Sequence, residues 1–111
     1  MWLQVDSENF QRLVLEEPSP VLLAWMRMEA DNVRQKKMLA KLSGHYGEGL
    51  KVRLVEQGMT ESFRERFDIR GTPTYLLFDN GVEKQRLLGE ADEPTLVDFI
   101  RNNLVESRPN A

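Results

Sequence analysis

Arg70-Gly71-Thr72-Pro73-Thr74 leads straight into the apolar run Tyr75-Leu76-Leu77-Phe78 and then into Asp79-Asn80-Gly81. A proline at the mouth of a strand removes one backbone donor there. A cis Thr72–Pro73 bond would turn the Thr72 backbone outward, free to pair with something extended. Asn-Gly between two strand-like runs is the strongest short-range hairpin signal. It predicts that the strand through Tyr75–Phe78 folds back on a strand over Val82–Leu88.

Upstream of this hairpin, Trp2-Leu3-Gln4-Val5 reads as a short edge strand. Asp6 or Ser7 offers an N-cap, and Phe10, Leu13 and Val14 recur at helical spacing. Glu16-Glu17-Pro18-Ser19-Pro20 ends that helix. Prolines so spaced can suggest a recognition motif, but a helix stop feeding a strand explains them. Val21-Leu22-Leu23-Ala24-Trp25-Met26 is continuously apolar, as in a strand buried on both faces of a parallel sheet. Asp31 or Asn32 can then cap a second helix with Val33, Met38, Leu39, Leu42 and Tyr46 as its buried stripe. Arg34, Lys36, Lys37 and Lys41 mark its wet face, and Gly44, Gly47 and Gly49 punctuate its end. Leu50–Val55 alternates as a third strand, and a strand–helix–strand order implies a parallel crossover. Thr60 is placed to cap a short helix carrying Phe63 and Phe67. Asp92 and Pro94 open a last helix with Leu96, Phe99, Ile100 and Leu104 as its apolar face. The order is β-α-β-α-β-α-β-β-α. It predicts an α/β fold with a central mixed sheet of about five strands and helices on both faces.

Composition narrows the function. The 111 residues (41% hydrophobic, 30% charged) predict a single domain spanning 1–111, with 106–111 a frayed tail. A net charge of −3 with interleaved signs predicts no nucleic-acid footprint. No run is long enough to span a membrane, and the first residues lack a basic-then-apolar export signal, so the expected location is cytoplasmic. There is no cysteine and one histidine, His45. That removes disulfides, thiol nucleophiles and thiolate metal sites, and leaves the usual metal sites short of ligands. No cofactor is expected.

The layout resembles thioredoxin across essentially the whole chain. The resemblance rests on Pro20-Val21-Leu22-Leu23, Arg70-Gly71-Thr72-Pro73-Thr74, Leu77-Phe78, Asn80-Gly81 and Leu88-Gly89. It implies a thioredoxin-like three-layer sandwich with a cis-proline at Pro73. Thioredoxins carry a Trp-Cys-Gly-Pro-Cys segment after the second strand. Here that segment falls on Glu29-Ala30-Asp31-Asn32-Val33, so the two cysteine positions are Ala30 and Val33. Disulfide exchange needs one thiolate to attack and a second thiol to resolve, and neither residue supplies one. The buried aspartate and lysine of the family fall on Ala24 and Leu54. Replacing a buried ion pair by apolar side chains is often neutral or stabilising. The pattern is that of a redox-dead relative whose reactive corner has become core.

Three functions are compatible with these residues. The first is a non-catalytic, chaperone-like or adaptor-like binding module. The resemblance implies a groove beside the proline that takes an extended peptide or protein client by strand addition. Thr72, Pro73 and Gly89 would form its ledge, and Met28, Ala30 and Val33 its lining. The second is an enzyme using Glu29, Asp31 and His45. Two of these sit at a helix start, where carboxylates are expected for structural reasons, and the third lies at the far end of that helix. They do not converge. The third is an oligomerising subunit, a homodimer through edge strand Trp2–Val5 or the lysine-rich helix face. A chain that belongs to a redox family by descent alone is the remaining alternative.

Overall fold

A computed structural model describes residues 3–26, 32–55 and 57–104. Five strands, β1 (Leu3–Val5), β2 (Val21–Trp25), β3 (Lys51–Val55), β4 (Thr74–Asp79) and β5 (Val82–Leu88), form one mixed sheet in the order β1-β3-β2-β4-β5. β3 runs parallel to both β1 and β2, whereas β4 runs antiparallel to β2 and β5. Among the described residues, three α-helices, α1 (Asn32–Tyr46), α2 (Thr60–Phe67) and α3 (Glu93–Leu104), accompany the sheet.

Alternation along β2 divides the core. Leu22, Ala24 and Met26 face a cluster with Leu39 and Leu42 of α1 and Leu96 and Ile100 of α3. Val21, Leu23 and Trp25 face the opposite cluster with Phe10, Leu13, Val14 and Phe63. Helices therefore cover both faces, and all five residues of β2 are buried, as its unbroken apolar run predicts. The β4–β5 hairpin closes through Asn80 and Gly81, at φ of 53° and 78°. Two consecutive positive φ angles are the geometry that Asn-Gly favours between twisted strands.

The segment after β1 is shorter than a full helix. Asp6 Oδ1 accepts the Glu8 and Asn9 N–H groups at 2.9 Å, and Asn9 Oδ1 accepts the Asp6 N–H at 2.9 Å. This is a reciprocal cap of the capping-box kind, with asparagine in the glutamate's role. The cap opens a five-residue π-helical stretch, Gln11–Leu15, closed by Glu16 N–H donating to Gln11 O at 2.8 Å. Arg53, on β3 and 8% exposed, donates to Leu13 O at 3.3 Å and to Glu17 Oε1 at 3.2 Å. A buried guanidinium on the sheet thus holds this short turn in place.

Thr60 is not a helix cap. A 3₁₀ turn over Gln57–Met59 runs directly into α2, so the capping position falls on Met59, which has no side-chain acceptor to offer. The other end of α2 is held from the sheet. Arg86 of β5 donates to Phe67 O at 2.8 Å and makes a two-pronged ion pair with Glu83 at 2.7 and 2.9 Å. Charge-assisted bonds to a terminal carbonyl satisfy an acceptor that a helix end leaves open. Arg86→Ala is expected to lower stability by about 1–2 kcal/mol. Amide exchange should speed up selectively at Ile69, whose N–H donates to Arg64 O at 2.9 Å as the last bond of that helix end.

Candidate functional site

Strand register gathers the predicted site. Trp25 at the end of β2 faces Thr74 at the start of β4, and Thr74 faces Leu88 at the end of β5. The Thr72–Pro73 segment, Leu88 and Gly89 therefore meet at one end of the sheet. The Thr72–Pro73 peptide bond is cis. Gly89 N–H donates to Pro73 O at 2.8 Å, and Thr74 Oγ1 donates to Gly71 O at 2.6 Å, which fixes the approach to β4. Pro73 is buried, while Thr72 and Gly89 are half-buried.

The surface around this ledge is partly apolar. Leu88 is 58% exposed, and its Cδ1 lies 2.9 Å from where a Cβ on Gly71 would stand. Gly89 has a φ of 107°, in the region that favours glycine. Among the described residues, its two chain neighbours aside, a Cβ there would meet no heavy atom within 4 Å, so as far as they reach the space above Gly89 is open. On the other side of Thr72 lies a cleft of about 340 Å³ reaching Trp25, Arg64 and Ile69. Trp25 does not fill the ledge: its indole N–H donates to Thr60 O at 2.8 Å, which turns the ring toward α2. Beside this cleft Arg70 bonds the Asp68 carboxylate at 2.9 Å and holds its pKa below the usual range.

Of the residues assigned to the lining, Val33 lies at the start of α1 and is 59% exposed, not part of the buried stripe. Met28 and Ala30 lie outside the described residues, as do Glu29 and Asp31. Ala24 and Leu54 are direct register neighbours across β2 and β3, both buried among apolar side chains. His45 is exposed, its ring packed edge-on to Tyr46, at the far end of α1 and about 20 Å along the helix from its start. It is thus remote from the ledge. Among the described residues, no three His, Cys, Asp or Glu side chains could hold a metal ion, and no helix is long and apolar enough to cross a membrane.

One polar residue has no counterpart among the site residues expected from sequence. Gln35 is 5% exposed and takes the place on the α1 stripe where Val33 is expected. Tyr75, fully buried, bonds its hydroxyl to Gln35 Oε1, and Ala91 N–H donates to the same oxygen at 3.4 Å. Burial, and then the nearby Glu90 charge, push the Tyr75 pKa well above its ordinary value, so the phenol keeps its proton. A signal for it exists: residues 35, 39, 42 and 46 follow helical spacing, and a glutamine stands in an otherwise apolar row.

No protein-family model matches the chain. Individual proteins do. Thioredoxin C-2 of Corynebacterium nephridii is 31% identical over 103 residues, covering 92% of this chain and 95% of that protein. This chain belongs to the thioredoxin family. The thioredoxins of Rickettsia bellii and Rickettsia felis are 27% and 28% identical over 104 residues, each covering 90% of this chain and 96% of their own length. Each similarity thus covers nine tenths or more of this chain. With no cysteine anywhere in the sequence, this member of the family has no thiolate to attack a disulfide and no thiol–disulfide oxidoreductase activity.

Proposed function

We propose that this redox-inactive thioredoxin-family chain is a chaperone-like or adaptor-like binding module. It holds an extended peptide or protein client along the ledge of Thr72, Pro73 and Gly89, with Met28, Ala30 and Val33 toward the former reactive corner. The observation that carries this reading is the open space above Gly89 beside the exposed Leu88. An extended segment laid there would bury that leucine and gain main-chain contacts in the manner of an added strand. Val33, exposed at the start of α1, offers a second apolar contact to the same client. The apolar pair Ala24 and Leu54 supports a role in holding, since neither side chain can move a proton.

Titrating ¹⁵N-labelled protein with a pool of extended, apolar-rich peptides tests this. Shifts are expected to cluster on Thr72, Thr74, Leu88 and Gly89. Leu88→Lys, a change on an exposed side chain, is expected to weaken binding about tenfold, the effect of losing one buried leucine. Shifts gathered on β1 or on the last turns of α1, or a Leu88→Lys variant that binds as well as the parent, would move the binding surface elsewhere.

A further inference from the structure

A cleft of about 680 Å³ lies between α1 and the segment that joins β5 to α3. Its charges are sorted by wall. Arg34, Lys37 and Lys41 line the α1 wall, whereas Glu90, Asp92 and Glu93 line the other. The helix period explains the first wall: residues 34, 37 and 41 fall within about 60° of one another around α1, in one stripe. The opposing carboxylates fall within one short segment. There Asp92 Oδ1 accepts the Thr95 N–H at 3.0 Å and Glu93 opens α3, both places that suit a negative charge. Met38 on the first wall and Ala91 and Pro94 on the second add apolar surface.

Three cations against three carboxylates give the cleft no net charge with which to select a small ion. A single chain also leaves the two walls poorly matched. Arg34 and Glu90 form an ion pair at 3.5 Å. Lys37, Lys41, Asp92 and Glu93 make no ion pair among the described residues, so two cations and two carboxylates stand on opposite walls unmatched. Lys37, Lys41 and Asp92 are exposed, and Glu93 is half-buried. A surface with one sign on each side of an apolar strip complements itself. A two-fold axis carries the basic wall of one copy onto the acidic wall of the other, and the reverse contact forms at the same time. The lengths agree: Arg34 to Lys41 spans about 10 Å of helix, and Glu90 to Glu93 at most about 10 Å of chain.

We infer that this cleft is where two copies of the chain meet, α1 of each lying along the Glu90–Glu93 segment of the other. Lys37 and Lys41 then pair with Asp92 and Glu93 of the second copy, and symmetry makes each pair twice. Met38 packs against Pro94 of the second copy, and a methionine side chain adapts readily to such a contact. Exposed ion pairs are individually weak, so the dimer is weak and depends on salt. An interface with so small an apolar strip belongs with transient contacts. The contact is separate from client binding at Thr72, Pro73 and Gly89 and does not rest on it.

Sedimentation of the chain from about 10 µM to about 1 mM tests this. Dimerisation is expected to be half complete at roughly 100 µM in about 50 mM salt, and about fivefold weaker in about 500 mM salt. Lys37→Glu/Lys41→Glu and Glu90→Lys/Glu93→Lys should each dimerise at least about tenfold more weakly than the parent, because like charges then meet. Mixed in equal amounts, the two variants should form a heterodimer about as strong as the parent dimer, since every wall again meets its opposite. The substituted side chains are exposed or half-buried, and a ¹⁵N spectrum of each variant reports whether its fold is kept. Should one misfold, concentration-dependent shifts of the parent at Lys37, Lys41 and Glu93 test the contact without any substitution. A monomer at every concentration, parent shifts confined to other residues, or folded variants that stay apart when mixed would overturn the assignment. Self-association that survives both charge reversals but is lost in Leu88→Lys would place the contact at the ledge and defeat this one.

Discussion

Ala24→Asp is expected to cost at least about 4 kcal/mol at pH 7, measured by urea unfolding. Ala24 is fully buried between Leu54 on β3 and Tyr75 on β4, in a cluster of apolar side chains. A carboxyl placed there resists ionisation, and burial of this kind raises a carboxyl pKa by about three units or more. Each unit corresponds to ~1.4 kcal/mol between the two protonation states. The sign follows from linkage. A folded-state pKa raised above the unfolded value means that the penalty is smallest below about pH 3.9 and grows as pH rises toward the folded pKa. The variant should therefore lose much less stability at pH 4 than at pH 7. Leu54→Lys, directly across the ladder, should return part of the loss, with a coupling of about 1–3 kcal/mol in the double-mutant cycle. A flat pH dependence, or no coupling to Leu54→Lys, would mean that this spot still reaches water and has not become core.

The fold is legible in the sequence wherever a local rule and the global arrangement agree. Asn80-Gly81 needs two positive φ angles and finds them in the hairpin. The unbroken apolar run of β2 needs two covered faces and has them. Asp92 caps α3 as its position predicts. Legibility fails where a residue's type is right for two roles. Thr60 suits a cap, but the preceding 3₁₀ turn moves the cap to Met59. Val33 suits a buried stripe, but it lies six residues before Leu39, about 240° around the helix, whereas Gln35 lies about 40° from it. An apolar residue therefore faces solvent and a polar one faces the core. The segment after β1 is shorter than its sequence suggests because its cap is strong while its body is too short to be helical by itself.

Strand register is discrete, and Ala24 and Leu54, the positions that the resemblance implies for the family's buried aspartate and lysine, are partners across β2 and β3. The open space above Gly89 is not legible, because it depends on which distant segments pack near that turn. Nor is the orientation of Gln35, which a backbone donor from Ala91, 56 residues away in sequence, decides.

Phe10→Ala is expected to remove about 4 kcal/mol, the middle of the range for truncating a buried aromatic. Phe10 is 2% exposed and sits at the centre of a ring cluster, 5.5 Å from Phe63, 5.4 Å from Phe67 and 6.2 Å from Phe78 between centroids. The Arg66 guanidinium stands 4.6 Å from the Phe10 ring centre. Phe10→Leu keeps most of the apolar volume but loses the ring geometry and the cation, and should cost about 1–2 kcal/mol. The difference between the two separates burial from aromatic packing. The larger loss has a second source. The Gln11–Leu15 turn is too short to persist unless docked, and Phe10 is its anchor to α2 and β4. Once undocked, the turn withdraws the Leu13 carbonyl from Arg53 and leaves a buried guanidinium short of an acceptor. Phe10→Ala and Arg53→Met should then be non-additive, the double variant losing less than the sum. Strict additivity, or equal losses for Phe10→Ala and Phe10→Leu, would mean that the turn holds to the sheet without this ring.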